Sequence, residues 1–289
     1  MNIKQFNDWL SSEDKQSLIM GILNVTPDSF SDGGQYFKKN TAIEHALEMV
    51  KNGADIIDIG GESTRPFSDP VSLDEEISRV IPVIEGIRKK SDVCISIDTT
   101  KSIVASKALD VGASIINDIS AMEIDPLMAD VALKFDCPLI IMHMKGTPKN
   151  MQDNPQYESL IPDIKDYLLD RIDFAISKGV NRKKIIIDPG IGFGKTVENN
   201  FEIINNLNHF VELNFPVLLG ASRKSFIGIS LILPENDRLE GSLAANVIAA
   251  TALFTALRQA SQVDQLIEGL DALGRACEAT VEFYQCHHE

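Results

Sequence analysis

The stretch Ala54–Gly60, ADIIDIG, is apolar on successive residues, as are Ala113–Ser120, ASIINDIS, and Lys183–Gly190, KKIIIDPG. Runs of that kind belong to strands covered on both faces, the situation in parallel sheets flanked by helices. Working outward, the candidate strands are Ile19–Thr26, Asp55–Gly60, Cys94–Asp98, Ser114–Ile119, Pro138–Met144, Lys184–Asp188 and Pro216–Gly220. Each precedes a longer helix-like segment, and alternating βα units imply a parallel sheet. Seven legible units make an α/β (β/α)8 TIM barrel the nearest closed architecture; a doubly wound open sheet is the alternative. No Ser/Gly-rich linker or low-complexity block divides the pattern. The expectation is one domain over 1–289, with the barrel proper at about 19–285. The eighth strand is weak or missing: residues 251–262, TALFTALRQASQ, have no Gly to end the preceding helix and little β-branching. Either a poor strand forms there or the helix runs on.

Composition bounds the function. In 289 residues, 27 Lys and Arg face 42 Asp and Glu, a formal net charge of −15 that repels polyanions. Nucleic acid and anionic membrane surfaces are therefore not expected as main partners. Residues Met1–Lys15 mix acids with bases and lack the apolar core of a signal peptide. Ser242–Leu257 is interrupted by Asn246, Thr251 and Thr255 and is too short to span a bilayer, so a buried helix is expected. The cysteines Cys94, Cys137, Cys277 and Cys286 form no CxxC pair, which suits free thiols in a reducing, cytoplasmic setting.

Nearly every candidate strand ends in a polar residue followed by Gly, Pro, Ser or Thr. Asn24 ends the first and Asp98 the third, while Glu62–Arg65 follow the second. Asn117 with Asp118, His143, Asp188 and Ser222–Lys224 do the same for the fourth to seventh. In a parallel barrel these positions share one rim, where barrel enzymes keep their sites. Singly, each has a bland reading: Asp118 as a turn or helix cap, Glu62 as an ion-pair partner of Arg65, His143 as a satisfied core histidine. Long connections at Pro27–Asn40, Gly61–Ser72 and Lys145–Tyr157 agree with a binding rim. Asp98, Asn117 and Asp188 offer acceptors and Lys224 a cation, a set that suits a flat heterocycle with an amidine-like N–H edge. Asn24, Ser63, Thr64 and Arg65, nearer solvent, suit a phosphate and Mg²⁺. No His/Cys cluster has zinc spacing. GIGFGKT, Gly190–Thr196, fails as a P-loop because the first glycine of GxxxxGK[ST] falls on Pro189, and it is a poor GxGxxG match. It reads as a Gly-rich loop that lets Phe193 and the backbone approach a ligand.

The motifs MGILNVTPDSFSDGG (Met20–Gly34), DIGGESTRP (Asp58–Pro66), ISIDTTK (Ile95–Lys101), IINDIS (Ile115–Ser120), IMHM (Ile141–Met144), IDPGIGFGK (Ile187–Lys195) and GASRKSFIG (Gly220–Gly228) together resemble the dihydropteroate synthase family. The resemblance covers roughly residues 19–245. It implies a (β/α)8 barrel transferase that joins 6-hydroxymethyl-7,8-dihydropterin diphosphate to p-aminobenzoate, with release of pyrophosphate, in folate biosynthesis; the family is a sulfonamide target. Carried over, it places the pterin on Asp98, Asn117, Met142, Asp188 and Lys224, and Mg²⁺ on Asn24. Phe30, Ser63, Thr64, Arg65, Pro66, Phe193, Arg223 and Ser225 fall to p-aminobenzoate and diphosphate, with Asn24, Arg65 and Lys224 as the catalytic group. A homodimer through the last helices is also implied.

After Arg238–Ala250 the chain departs from the family. Relatives continue into an eighth strand ending in Arg-x-His-Asp-Val, whose Arg and His bind diphosphate; here Arg258 falls at the Arg position, but Ala260 and Ser261 stand for the His and Asp. This departure leaves two alternatives: a pterin-binding relative with little or no turnover, and a folate-dependent methyltransferase on a similar barrel. The second has little use for NVTPDSFSDGG or SRKSF. A Schiff-base aldolase using Lys224 is weaker still, because carboxylate binding explains the adjacent Arg223.

Overall fold

The computed structural model describes residues 1–13, 15–26, 35–64 and 68–260. The elements run α1 (Ile3–Ser11), β1 (Met20–Asn24), α2 (Gln35–Lys51), β2 (Ile56–Gly60), α3 (Leu73–Arg88), β3 (Cys94–Asp98), α4 (Ser102–Asp110), β4 (Ile115–Asp118), α5 (Met128–Phe135), β5 (Leu139–Met142), α6 (Leu160–Ser177), β6 (Ile185–Asp188), α7 (Val197–Asn205), α8 (Asn208–Val211), α9 (Ser225–Leu231) and α10 (Leu239–Ala260). The six strands pair in parallel in the order β1-β2-β3-β4-β5-β6. That order decides between the two expected architectures. A doubly wound sheet reverses its winding at a switch point, whereas here each strand is laid beside its predecessor in one direction, as in a barrel.

The seventh expected strand, Pro216–Gly220, is reduced to one parallel bridge between Val217 and Ile187. Two backbone hydrogen bonds hold it, Ile187 N–H to the Pro216 carbonyl at 2.9 Å and Leu218 N–H to the Ile187 carbonyl at 2.8 Å. Pro216 has no N–H to extend the ladder. At the place of the eighth strand, α10 runs on to Ala260. Its Ala- and Leu-rich sequence favours helix and nothing in it stops one. Of the two readings of residues 251–260 the continuing helix is the one adopted; there is no eighth strand among the described residues. The final helix expected near Val263–Phe283, Cys277 and Cys286 lie outside them. Cys94 and Cys137 are buried free thiols, and no described helix is long and apolar enough to cross a membrane.

Strand parity sets the layers. Leu23, Ile57, Ile59, Ile95, Ile97, Ile116, Ile141 and Ile187 face outward into the main core beneath the helices. The intervening residues face the barrel axis, and at its N-terminal end Ile56, Cys94, Ile115, Ile140 and Ile186 pack against Phe6 and Leu10 of α1. A reciprocal cap fixes α1: the Asn2 side chain accepts from Gln5 N–H at 3.0 Å, and the Gln5 side chain accepts from Asn2 N–H at 2.8 Å. The helix closes the floor, leaving the opposite end for a ligand. On the axial face of β1, Ile22 is 56% exposed, since the bridge at Val217 is the last sheet contact on the far side.

Candidate active site

Parity also decides which polar strand ends enter the mouth. Registers align Asn24 with Gly60, Gly60 with Asp98, and Asp98 with Asn117; Met142 aligns with Asp188 on the β5–β6 pair. All share the axial parity of the apolar floor. Gly60 keeps the row open. A Cβ there would stand 3.3 Å from Asp98 Oδ2 and 3.6 Å from Asn24 Oδ1, so the two oxygens flank space that any side chain would fill.

Asn117 and Asp188 are buried polar groups. Burial raises the Asp188 carboxyl to about 6, against the opposing pull of the Gly190 N–H, Lys224 and Lys195. The Gly190 N–H donates to Asp188 Oδ1 at 2.7 Å. Asp98 is pushed well above its ordinary value, first by burial and then by the like charges of Asp58, Glu76 and Asp118, while Lys224 pulls it down. Lys224 is lowered by burial and held up by Asp188 and Asp98. Its ammonium lies 4.2 Å from the Phe193 ring centroid, and Phe193 packs with Met142, Met144, Met151 and Ile119. One cation therefore stands among acceptors beside an apolar, sulfur-rich wall, an arrangement that takes a flat polar heterocycle.

In the Gly-rich loop after β6 the glycine serves a close backbone approach within the protein. Gly190 has φ +72°, and a Cβ on it would lie 2.0 Å from the His143 carbonyl oxygen, so only glycine fits. Two polar strand ends are not in the mouth. Asp118 has the opposite parity to Asn117 and caps a turn, accepting from Ser120 N–H at 2.9 Å, Ser120 Oγ at 2.7 Å and Met122 N–H at 2.7 Å. His143 turns away from Met142 toward Lys195, whose buried ammonium reaches His143 Nδ1 at 2.9 Å and the Phe193 carbonyl at 2.9 Å. Burial and that ammonium lower His143 to about 2, so the ring is neutral. Burial likewise lowers Lys195 to about 7. The bland readings of both residues are the correct ones, and the rim is smaller than a count of strand ends suggests.

Ser63 and Thr64 lie half-buried on the loop after β2. Glu62 on that loop pairs with Lys101, which also reaches buried Glu76 at 2.5 Å. Arg223 and Ser225 are exposed on either side of Lys224; Arg223 N–H is fixed by Ser242 Oγ at 2.8 Å. Phe30, Arg65 and Pro66 lie outside the described residues, and of Arg258 only its place on α10 is described. Sequence reasoning passed over Asp58, a buried acid whose Oδ2 accepts from Asn117 Nδ2 at 3.1 Å. The signal was an acidic residue inside a run otherwise covered on both faces.

A parallel barrel whose open end gathers buried carboxylates, an amide and a lysine around an apolar wall defines a small-molecule enzyme of the heterocycle-binding kind. Comparison with known proteins makes the class specific. The family described as pterin binding enzyme matches residues 20–258. The dihydropteroate synthase of Clostridium beijerinckii is 50% identical over 234 residues, 81% of this chain and 84% of its own. Among solved structures, the Yersinia pestis dihydropteroate synthase in a sulfonamide drug complex superposes with a TM-score of 0.79 at 40% identity, covering 92% of this chain and 95% of its own. The Xanthomonas albilineans dihydropteroate synthase with 4-aminobenzoic acid gives 0.78 at 37%, covering 90% and 91%. The chain belongs to the pterin-binding enzyme family, with the dihydropteroate synthases, and is a transferase on an α/β barrel.

Proposed function

We propose that the chain condenses 6-hydroxymethyl-7,8-dihydropterin diphosphate with p-aminobenzoate to give 7,8-dihydropteroate and pyrophosphate. The observation that carries this reading is the set Asp98, Asn117, Asp188 and Lys224 around the Met142–Phe193 wall: three acceptors and one donor cation converge where a pterin edge presents N–H groups beside a carbonyl and ring nitrogen. The C–O bond of the pterin methylene breaks and its electron pair leaves with diphosphate. The aniline nitrogen then forms the C–N bond and releases a proton. No protein nucleophile is required. The carboxylates facing the pterin favour the positive charge that develops as diphosphate departs, and the buried setting makes that attraction stronger than in water.

The space beside Gly60, flanked by Asn24 Oδ1 and Asp98 Oδ2, suits a hard cation that takes one or two protein oxygens and fills its shell with substrate phosphate and water. Asn24 is the residue assigned to Mg²⁺, which when bound supplies charge stabilisation for the leaving diphosphate. Ser63, Thr64 and Arg65 on the second loop, with Phe30, Pro66, Phe193, Arg223 and Ser225, bind p-aminobenzoate and diphosphate; Arg258 is kept as a candidate diphosphate contact. A homodimer is carried over as well, with exposed Ile229 and Leu231 on α9 and Ile248 on α10 as apolar surface for it.

The test measures 7,8-dihydropteroate formation with Mg²⁺ alongside calorimetric binding of the pterin diphosphate. Formation of product together with loss of pterin binding in both Asp98→Asn and Lys224→Ala is the expected result. Unchanged affinity in both variants overturns the pocket assignment. Arg65→Ala is expected to raise the KM for p-aminobenzoate about tenfold with pterin affinity intact.

A further inference from the structure

Asp58 is the buried acid of this site that the reaction leaves unused. It sits on β2 at the axial position below Gly60 and is 4% exposed. Its Oδ2 accepts from the Asn117 amide at 3.1 Å, and its Oδ1 has no hydrogen-bond partner among the described residues. Burial raises this carboxyl, and the Ser96 hydroxyl and the Asn117 amide work in the other direction, favouring the charged form.

A carboxylate can only accept, whereas a primary amide has a donating end and an accepting end of nearly the same shape. Shape alone does not orient Asn117; its neighbour does. With Nδ2 committed to Asp58, Oδ1 is the end left for the mouth of the barrel, where it joins Asp98 and Asp188 as a third acceptor. Reversing the amide would set a carbonyl against a buried carboxylate and turn N–H groups toward the ligand's own N–H groups. Both changes strand buried polar atoms, the costly case in an interior.

We propose that Asp58 is a specificity-determining positioning residue: by fixing the amide of Asn117 it makes the pocket demand an N–H donor on the ligand and reject a ring that presents an acceptor there. The inference rests on the pterin reading above.

The experiment compares calorimetric affinities for 6-hydroxymethyl-7,8-dihydropterin and two acceptor-edged analogues. One is 6-hydroxymethyl-7,8-dihydrolumazine, with a carbonyl in place of the exocyclic amine. The other is oxidised 6-hydroxymethylpterin, with a ring lone pair in place of the N8–H. In Asp58→Asn the neighbour can donate or accept, so Asn117 turns to suit the ligand. Dihydropterin affinity is expected to stay within about threefold of the parent, while preference over at least one analogue narrows about fivefold or more. A packing role would weaken all three ligands together and leave the ratios fixed; ratios within twofold of the parent overturn the proposal. If Asp58→Asn does not fold by circular dichroism, Asp58→Ser decides: its hydroxyl also donates or accepts, so the same narrowing of the ratios is expected, and ratios within twofold of the parent overturn the proposal. A parent protein that binds none of the three ligands rejects the pterin reading itself, an outcome distinct from either variant result.

Discussion

Asp188 shows how one side chain trades stability for binding. Its carboxyl lies at about 6 when folded, against an ordinary 3.8, because burial disfavours the charge. For an acid raised by folding, the charged form costs stability above the folded value. The fold is therefore relieved as pH falls through 6 and fully so below about 4. Binding runs the other way, since the acceptor role proposed for Asp188 toward a pterin N–H needs the carboxylate. Pterin affinity is expected to fall as pH drops through 6, to about a tenth of its plateau at pH 5, measured by calorimetry on the protein. At pH 8, Asp188→Asn is expected to stabilise the unliganded fold by about 1–3 kcal/mol in urea titrations while cutting pterin affinity tenfold or more. A variant that loses stability at pH 8 would mean that the buried charge is better compensated than its surroundings indicate.

At the scale of elements, the loop after β6 and the loop after β2 are held by different devices. Gly190→Ala places a methyl 2.0 Å from the His143 carbonyl oxygen at φ +72°. It is expected to cost about 2 kcal/mol or more and to displace Phe193, seen as a lower urea midpoint and weaker pterin binding. Lys101→Ala leaves Glu76, 1% exposed, without its cation. The expected loss is about 2–3 kcal/mol, less than for a wholly buried pair because Lys101 is itself a quarter exposed. The KM for p-aminobenzoate is expected to rise as well, since Glu62 loses its anchor along with Glu76. The strands carrying these loops were legible because ADIIDIG and KKIIIDPG leave no polar face for water. The polar strand ends were legible as a group. What adjacent pairs concealed was parity: Asn117 faces the axis and Asp118 a turn, Met142 faces the axis and His143 the helices. A shift of one residue in the strand frame exchanges each pair, and nothing in IINDIS or IMHM fixes that frame without the neighbouring strands. Lys195 was hidden for a related reason, since its partners, His143 just past β5 and the Phe193 carbonyl of its own loop, meet only in the folded chain.

For the molecule as a whole, closure of the barrel is what bears on the diphosphate side. Among the described residues, six paired strands and one bridged segment hold Asn24, Asp98, Asn117, Met142 and Asp188 in register, because adjacent ladders transmit position locally and each axial residue is placed by its neighbours. The diphosphate side is where the family resemblance calls for the end of an eighth strand, and here residue 260 lies on a helix instead. A donor restored by sequence alone is then restored in the wrong element. Ala260→His is expected to change kcat for dihydropteroate formation by less than twofold and to leave pterin affinity untouched, because residue 260 lies on a helix and not at a strand end. A rise in kcat of about a hundredfold, the scale on which a single donor to a developing anion acts, would show that residues 251–260 form the eighth strand in solution. In that event Ile22, now exposed on the axial face of β1, would gain the neighbour that closes the barrel over it.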